Sequence, residues 1–297
     1  MDAVITYVDG LDPLWQKDYD AVVGAPRLAK RFRDWGTLRY LLRGVETCMP
    51  FIRKVFLVVS RESQVPEWVN RETVTTVLHS DIIPAEFLPT FNSTTIEMFL
   101  HRIPGLDEQF IYFNDDFFPL MPFDATDFFT EDGRAVAHHS AHFFAGSLYM
   151  VQTRRADRLA RKALGLKKSI RYVRPQHTVT TMLRSCSEKV SAAVEEDIRA
   201  SLTTTRDAAN LNQYIWSDAL YYQGLTEQKG ISNKHFSLAV ADVDKICRFI
   251  VNPTRKMACI NDVEMSDARY MEYRRGLLEA FGKRFPQPSK YENKEVL

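Results

Sequence analysis

Short apolar runs of strand length alternate along this chain with amphipathic segments of helical spacing. Runs that predict strands lie at residues 3–8, 55–60, 74–79 and 110–113. The run at 55–60 is apolar without alternation, which is typical of a strand covered on both faces of a sheet. Residues 38–49 space their leucines and valine as on one face of a helix. This alternation predicts an α/β fold with a mainly parallel sheet.

The second half of the chain carries longer amphipathic segments. Those that predict helices lie at residues 154–164, 207–223 and 267–285. Short apolar runs that predict two late strands follow at residues 248–252 and 257–260. We therefore expect helical additions to the α/β core, including a helical and basic insertion at about residues 150–225.

Composition narrows the class of protein. With 297 residues, of which 45% are hydrophobic, the chain can bury one full core, and we expect a single domain over residues 1–297. No apolar run approaches the roughly 18 residues of a membrane span. The sequence starts with a strand-like segment rather than a signal peptide, so we expect a cytoplasmic location. The net charge of +1 argues against general nucleic-acid binding.

Polar residues follow several predicted strands directly. They are Asp9, Gly10 and Asp12 after the first strand, Asp115 and Asp116 after the strand at 110–113, and Asn261 and Asp262 after the last. In open α/β sheets, ligands bind beyond the carboxyl ends of strands. Adjacent carboxylates at such a place are costly to desolvate unless a cation meets them. A divalent metal carrying a phosphorylated ligand is the simplest such cation, although an Asx-capped turn explains residues 9–12 equally well.

Two basic regions are candidate anion sites. Guanidinium groups converge near the start of the predicted helix at 38–49, from Arg31, Arg33, Arg39 and Arg43. Guanidinium groups can bind phosphate oxygens through two parallel hydrogen bonds. An equal alternative is that these arginines form a solvent-exposed basic surface paired with Asp34 and Glu46. The basic segment 154–174 could meet phosphate, a polyanionic acceptor or the anionic inner face of a membrane, or it could be an ordinary solvated loop.

Four passages resemble the Stealth family of sugar-phosphate transferases. They are ITYVDGLDP (5–13), RFRDWGTLRYLLRGVE (31–46), LPTFNSTTIEMFLHRIPGLDEQFIYFNDD (88–116), and a later stretch with RPQHTV, TTTRDAANLNQYIWSDALYYQG and CINDVE. That family includes bacterial capsular polysaccharide phosphotransferases and the catalytic subunit of the lysosomal-enzyme N-acetylglucosamine-1-phosphotransferase. The chain departs from the family at Tyr7, where Trp is usual, and at His177, which Thr178-Val179-Thr180 follows instead of Met-Pro-His.

The resemblance implies a single catalytic domain with a Rossmann-like, glycosyltransferase-A-related core. It implies transfer of a sugar 1-phosphate, expected to be an N-acetylhexosamine 1-phosphate, from a UDP-sugar donor to a hydroxyl of an acceptor glycan. A phosphodiester and UMP would form, with Mg²⁺ or Mn²⁺, in bacterial capsule or cell-surface polysaccharide synthesis. The alternatives are a metal-dependent glycosyltransferase that releases UDP and a non-catalytic glycan-binding module. Docking of segment 154–174 on the inner face of the membrane is a separate hypothesis.

The resemblance also implies roles for single residues. His101 matches the family's Leu-His-Arg-Ile and is the candidate general base, the alternative being a core histidine satisfied by the backbone. Metal ligands are expected among Asp115, Asp116, Asn261 and Asp262, with Asp116 counted as catalytic. Candidates that clamp phosphate oxygens are Arg39, Arg102 and Arg206. Further substrate contacts are expected from Asp9, Gly10, Asp12, Arg31, Arg33, Asn92, Ser93 and His177.

Overall fold

The computed structural model describes residues 1–26 and 32–293. The strands are β1 Asp2–Thr6, β2 Val55–Val59, β3 Val74–Leu78, β4 Gln109–Phe113, β5 Phe117–Pro119, β6 Ala135–Ala137, β7 His139–His142, β8 Tyr172–Pro175, β9 Thr180–Leu183, β10 Thr226–Gln228, β11 Asn233–Ser237 and β12 Met257–Asn261. The α-helices are α1 Pro13–Val23, α2 Leu38–Cys48, α3 His79–Ile82, α4 Ser93–Glu97, α5 Leu148–Ala163, α6 Arg184–Ala193, α7 Glu195–Ser201, α8 Tyr214–Tyr222, α9 Val243–Val251 and α10 Asp267–Arg284.

The main sheet has five strands in the order β3-β2-β1-β4-β9 and is mostly parallel. Strand β9 is the antiparallel member, with Thr180 opposite Tyr112 and Leu183 opposite Gln109. All five residues of β2 are buried, as expected for a strand covered on both faces. The predicted α/β class with a mainly parallel sheet is therefore confirmed, whereas the relation to glycosyltransferase A stays a prediction.

The described chain divides into two compact units. The first unit comprises Met1–Val4, Val77–Tyr112 and Ala125–Ile231, and the second comprises the described residues of Ile5–Thr76, Phe113–Asp124 and Ser232–Leu297. The segment at 150–225, predicted as a helical insertion, lies in the first unit and contains α5 to α8. The prediction of one catalytic domain concerns function as well as compactness and stays a prediction.

Helix α2 packs very closely against strand β5 in the second unit. A Cβ atom on Gly44 would lie 2.5 Å from the carbonyl oxygen of Pro119, so glycine permits this approach. Strand β5 pairs antiparallel with β12, which places Cys259 opposite Phe117. Strand β11 adds to the other edge of β12 in parallel. This three-stranded sheet supports the turn that precedes β5.

Strands β7 and β8 form an antiparallel pair in the first unit, with His142 opposite Tyr172. Helix α5 connects them; Ser147 caps its start by accepting a hydrogen bond from the Met150 N–H at 3.3 Å. The helix predicted at 154–164 begins earlier, at Leu148, and ends before Gly165, whose φ of 66° lies in the left-handed region. No helix in the described ranges combines the length and apolar composition that crossing a bilayer requires.

The strand predicted at 248–252 was wrong, and the helix predicted at 207–223 was too long. Residues 248–252 were predicted as a strand but end helix α9, because Asp242 accepts hydrogen bonds from two N–H groups of its first turn and nucleates the helix. The predicted helix at 207–223 begins only at Tyr214. Upstream, the side chains of Asp207 and Asn210 bond to nearby backbone N–H groups and hold a turn instead.

Candidate active site

Asp115 and Asp116 lie in the turn between β4 and β5. The strand has already ended before them, so the alternation of strand side chains does not force the two carboxylates apart. The backbone of Asp116 is fixed by the Ile260 N–H, which donates to its carbonyl oxygen at 3.0 Å. The Cys259 thiol donates to Asp116 Oδ2 at 3.5 Å. Asp116 Oδ1 is buried without a hydrogen-bond partner among the described residues.

Burial disfavours the charged forms of both carboxylates, and repulsion from neighbouring acids adds to this effect at Asp115. Desolvation, together with the neighbouring Asp116, Asp34 and Asp262, raises the pKa of Asp115 to about 7. Desolvation also raises the pKa of Asp116 to about 6, although the Cys259 hydrogen bond opposes this. Binding of a cation would stabilise the ionised form of such a buried carboxylate pair.

Asp34 is a further member of this site, although the sequence pattern indicates it only as a partner for arginine. Its pKa is raised, chiefly by burial, while the backbone N–H of Gly36 donates to Oδ1 at 2.9 Å and opposes the rise. The Tyr7 hydroxyl forms a hydrogen bond with the same carboxylate. Burial raises the pKa of Tyr7, and the charges of Asp34, Asp9 and Asp115 raise it further. Tyr7 therefore stays a neutral hydroxyl at the centre of these acids.

Asp262, the residue directly after strand β12, belongs to the same group. The indole N–H of Trp35 donates to Oδ2 at 3.1 Å, and Arg33 Nη1 lies 3.5 Å from Oδ1. Burial raises the pKa of Asp262, against the opposing charge of Arg33. Asn261 lies beside it and donates from Nδ2 to the Asp262 carbonyl at 3.2 Å. The second unit thus gathers five carboxylates, which we call the acidic cluster: Asp9, Asp34, Asp115, Asp116 and Asp262.

All three candidate residues in the turn after β1 make contacts that hold the turn itself. Asp12 caps helix α1: its Oδ1 accepts from the Leu14 N–H at 2.8 Å, and its Oδ2 accepts from Ser63 and Gln64. Gly10 is required because a Cβ there would lie 2.3 Å from the carbonyl oxygen of Phe32. The capped-turn interpretation of residues 9–12 also describes Asp9, whose Oδ1 accepts from the Leu11 N–H at 2.8 Å. The charge of Asp9 in addition raises the pKa of Tyr7 and of Asp34.

The predicted arginines take different positions. Arg33 adjoins Asp262, and its guanidinium lies 4.7 Å from the ring centre of Tyr270. Arg39 pairs with Glu292 at 3.3 Å and lies over Trp68. Arg43 is buried and bonds to both oxygens of Glu292, at 2.6 and 2.7 Å. Arg31 lies outside the described residues. The clamping role of Arg39 stays a prediction.

His101 is buried in the first unit, in a single 3-10 turn at Leu100–Arg102. Its ring meets Trp216 edge to face, with centroids 5.5 Å apart. Burial, helped by the charge of Arg102, lowers its pKa to about 4. Its Nδ1 has no hydrogen-bond partner within the described part of the chain, so the interpretation as a backbone-satisfied core histidine does not account for this atom. Arg102 is exposed, with its guanidinium over Phe99.

Asn92 and Ser93 anchor the start of helix α4 to residues 203–210. The Asn92 amide donates to the Thr203 and Thr205 carbonyls and to Asn210 Oδ1, while its oxygen accepts from Thr94. Ser93 Oγ accepts from Arg206 Nη2 at 2.5 Å. The buried Glu97 lies nearby, and desolvation raises its pKa to about 7 against the charge of Arg206. Glu97 was missed, although a lone acid in the apolar run TTIEMFLH was a usable signal.

His177, the last predicted residue, is exposed in the first unit, with its ring 5.9 Å from that of Tyr149. The predicted site residues are thus divided between the units. The first unit holds Asn92, Ser93, His101, Arg102, His177 and Arg206, and the second holds Asp9, Gly10, Asp12, Arg33, Arg39, Asp115, Asp116, Asn261 and Asp262.

Comparison with known proteins gives consistent results. A family model described as Stealth protein CR2, conserved region 2, matches residues 31–137. The chain is 44% identical over 142 residues to the receptor polysaccharide phosphotransferase WefC of Streptococcus oralis, covering 45% of this chain and 42% of that protein. It is 43% identical over 142 residues to the capsular polysaccharide phosphotransferase WcwK of Streptococcus pneumoniae, with the same coverage.

A third relative aligns along nearly its whole length. It is the exopolysaccharide phosphotransferase cps2G of Lactiplantibacillus plantarum, 30% identical over 330 residues, which cover 98% of this chain and 96% of that protein. The chain matches less than half the length of the two streptococcal relatives.

Proposed function

This chain belongs to the Stealth family of polysaccharide phosphotransferases, and from that premise we propose that it transfers a sugar 1-phosphate from a UDP-sugar to a hydroxyl of an acceptor glycan. The relatives are named as capsular, receptor or exopolysaccharide phosphotransferases, which supports sugar-phosphate transfer in the synthesis of a bacterial surface polysaccharide. The transferred group is an N-acetylhexosamine 1-phosphate, and the products are a phosphodiester and UMP.

One observation carries the proposal: Oδ1 of Asp116 is buried with no hydrogen-bond partner in the described part of the chain, beside Asp115, and burial raises the pKa of both carboxyl groups. Oxygen ligands of this kind fit a hard divalent cation such as Mg²⁺ or Mn²⁺. We assign the ligand role to Asp115, Asp116 and Asp262 with Asn261, and add Asp34. When bound, the metal would neutralise charge on the diphosphate of the donor.

Two arginines and one histidine are assigned the other roles: binding phosphate oxygens and accepting the proton of the attacking hydroxyl. Arg33, held beside Asp262, offers a guanidinium of the second unit to donor phosphate oxygens. Arg206, beside Ser93, offers a second guanidinium fork in the first unit. His101 is neutral at pH 7, which is the state a base must have before it takes the proton of an attacking hydroxyl.

Two rival functions use the same residues. A glycosyltransferase would direct the hydroxyl to the anomeric carbon and release UDP rather than UMP. A glycan-binding module would have no use for desolvated carboxylates, because uncompensated acids destabilise a fold that does not bind a cation. The family membership favours phosphate transfer over both.

Product analysis tests the proposal. Purified protein is incubated with UDP-N-acetylglucosamine or related UDP-sugars, a panel of acceptor oligosaccharides and Mg²⁺, and phosphorus NMR identifies the products. We expect a phosphodiester and UMP, both lost with a chelator and in Asp116→Asn but retained in Asp132→Asn, which changes an exposed loop aspartate. Release of UDP without a diester would replace the proposal with glycosyl transfer. Metal-dependent UDP-sugar binding without turnover would favour the binding module.

A further inference from the structure

Two loops of the first unit present apolar side chains to solvent. Strands β7 and β8 are antiparallel, with His142 opposite Tyr172, so the chain leaving β7 and the chain entering β8 lie at the same end of the pair. Phe144 is 87% exposed and Ile170 is 77% exposed. We call the aromatic–basic edge the six exposed residues Phe143, Phe144, Lys167, Lys168, Ile170 and Arg171.

Hydrogen bonds hold the backbone of this edge. The Tyr172 hydroxyl donates to the Phe144 carbonyl at 2.9 Å, and the Arg171 N–H donates to Ser169 Oγ at 3.0 Å. The Arg171 guanidinium lies 4.9 Å from the centre of the Phe143 ring, which joins the two loops. Because their backbone is fixed in this way, Phe144 and Ile170 project from a supported frame.

The charge around the edge is strongly one-sided. Between residues 138 and 177 the sequence contains nine lysines and arginines and one acidic residue, Asp157. Asp157 is buried: its oxygens accept from the Val173 N–H, the Tyr222 hydroxyl and Arg161. It therefore contributes little to the surface, and the three cations of the aromatic–basic edge are not offset by an acid from their own stretch of chain.

We propose that the aromatic–basic edge docks on the surface of an anionic lipid bilayer. Phe144 and Ile170 enter the region between headgroups and acyl chains, while Lys167, Lys168 and Arg171 meet the anionic headgroups. A polyanionic glycan would satisfy the cations equally well, but it gives no reason for two large apolar side chains, Phe144 and Ile170, to lie exposed beside them. Docking concerns the location of the protein and does not depend on the transfer reaction.

Vesicle flotation of the full chain tests the docking proposal. We expect binding to phosphatidylcholine vesicles that contain phosphatidylglycerol, little binding to phosphatidylcholine alone, and weaker binding at high salt. Phe144→Ser/Ile170→Ser is expected to lower the partition coefficient at least about tenfold, since two apolar side chains lose their burial. Lys167→Gln/Lys168→Gln is expected to lower it about fivefold per charge.

Matched controls come from the other unit. Val240 and Met271 are 88% and 59% exposed, and Val240→Ser/Met271→Ser is expected to leave binding unchanged, as is Lys17→Gln/Lys54→Gln. Thermal melts confirm that each variant is folded. Equal losses in the edge and control variants, or failure of the folded wild type to float with anionic vesicles, would overturn the proposal. Retention on immobilised dextran sulfate that needs Lys167 and Lys168, without flotation, would point to a glycan instead.

Discussion

The indole N–H of Trp35 donates to Asp262 Oδ2 at 3.1 Å, across 227 positions of sequence. This bond orients one carboxylate of the acidic cluster from a residue that carries no charge. Loss of a group that orients a metal ligand in this way typically lowers metal affinity by about 10–100-fold. If Asp262 binds a metal as proposed, Trp35 is a positioning residue rather than a ligand.

Replacing Trp35 with Phe is expected to weaken Mn²⁺ binding about tenfold, because Asp262 keeps its charge but loses the donor that orients it. Titration calorimetry with Mn²⁺ alone measures this directly. Trp68→Phe is the matched control, since Trp68 stacks on Arg39. Equal affinities of wild type and Trp35→Phe would show that Asp262 is not a ligand oriented by this bond.

The Arg43–Glu292 pair is expected to dominate the stability of the second unit. Arg43 and Glu292 are both buried and joined by two hydrogen bonds, and Arg43 also donates to the Phe285 carbonyl at 2.8 Å. Arg43→Ala leaves Glu292 buried with its main partner removed and should cost about 3–5 kcal/mol of unfolding free energy.

Arg39→Ala is the control for that measurement, because Arg39 reaches the same carboxylate from a partly exposed position. It should cost about 0–1 kcal/mol, the range of exposed ion pairs. Urea titrations of both variants give the two values. Similar losses of unfolding free energy in the two variants would contradict the prediction that the buried Arg43 contributes more to stability than the partly exposed Arg39.

Asp115 is expected to make the metal-free protein less stable as the pH rises. The folded state holds the Asp115 proton up to a pKa of about 7, against an ordinary value of 3.8, so the unfolding free energy falls between these values. With a chelator present, Asp115→Asn should unfold at a higher urea concentration than wild type at pH 8, and the difference should shrink toward pH 4.

Asp132→Asn provides the opposite case, because a hydrogen bond from Thr130 and then one from Arg134 lower the pKa of Asp132. That variant should gain no stability at pH 8. Added Mg²⁺ should raise the melting temperature of wild type more than that of Asp115→Asn. If Asp115→Asn were no more stable than wild type at pH 8, the prediction that ionised Asp115 destabilises the metal-free fold would be contradicted.

His101→Gln is expected to lower kcat for UMP release about 10²–10⁴-fold, the usual range for loss of a general base. Because the pKa of His101 is about 4, protonation of this residue should not lower the wild-type rate until the pH falls well below 6.5. His79→Gln is the control, since burial lowers the pKa of His79 to about 4 as well. A kcat that His101→Gln leaves unchanged per folded molecule would remove His101 from the mechanism.

Predictions from the sequence succeeded where one strong local pattern decides the outcome. The apolar run of β2 and the leucine stripe of α2 are such patterns. Asp115 and Asp116 also stand out in the sequence, one residue after the end of a strand, and their role as metal ligands stays a prediction. Asp34 has no comparable signal, since its importance comes from Tyr7 and Asp115, which are distant in sequence.

The errors also have local physical causes. The run at 248–252 is too short to separate strand from helix by apolarity, and the deciding cap, Asp242, lies six residues upstream of it. Residues 207–213 have helical composition, but their polar side chains bond to the backbone and keep the helix from starting earlier.

The contact between Gly44 and Pro119 fixes the position of strand β5, which follows two carboxylates of the acidic cluster. Strand β5 follows Asp116 immediately, and it rests on the helix at a point where a single methyl group would collide with its backbone. Gly44→Ala would displace β5 and carry the two carboxylates with it, although position 44 offers no chemical group to a ligand. The positions of Asp115 and Asp116 thus depend on a glycine that contacts the far end of the strand following them.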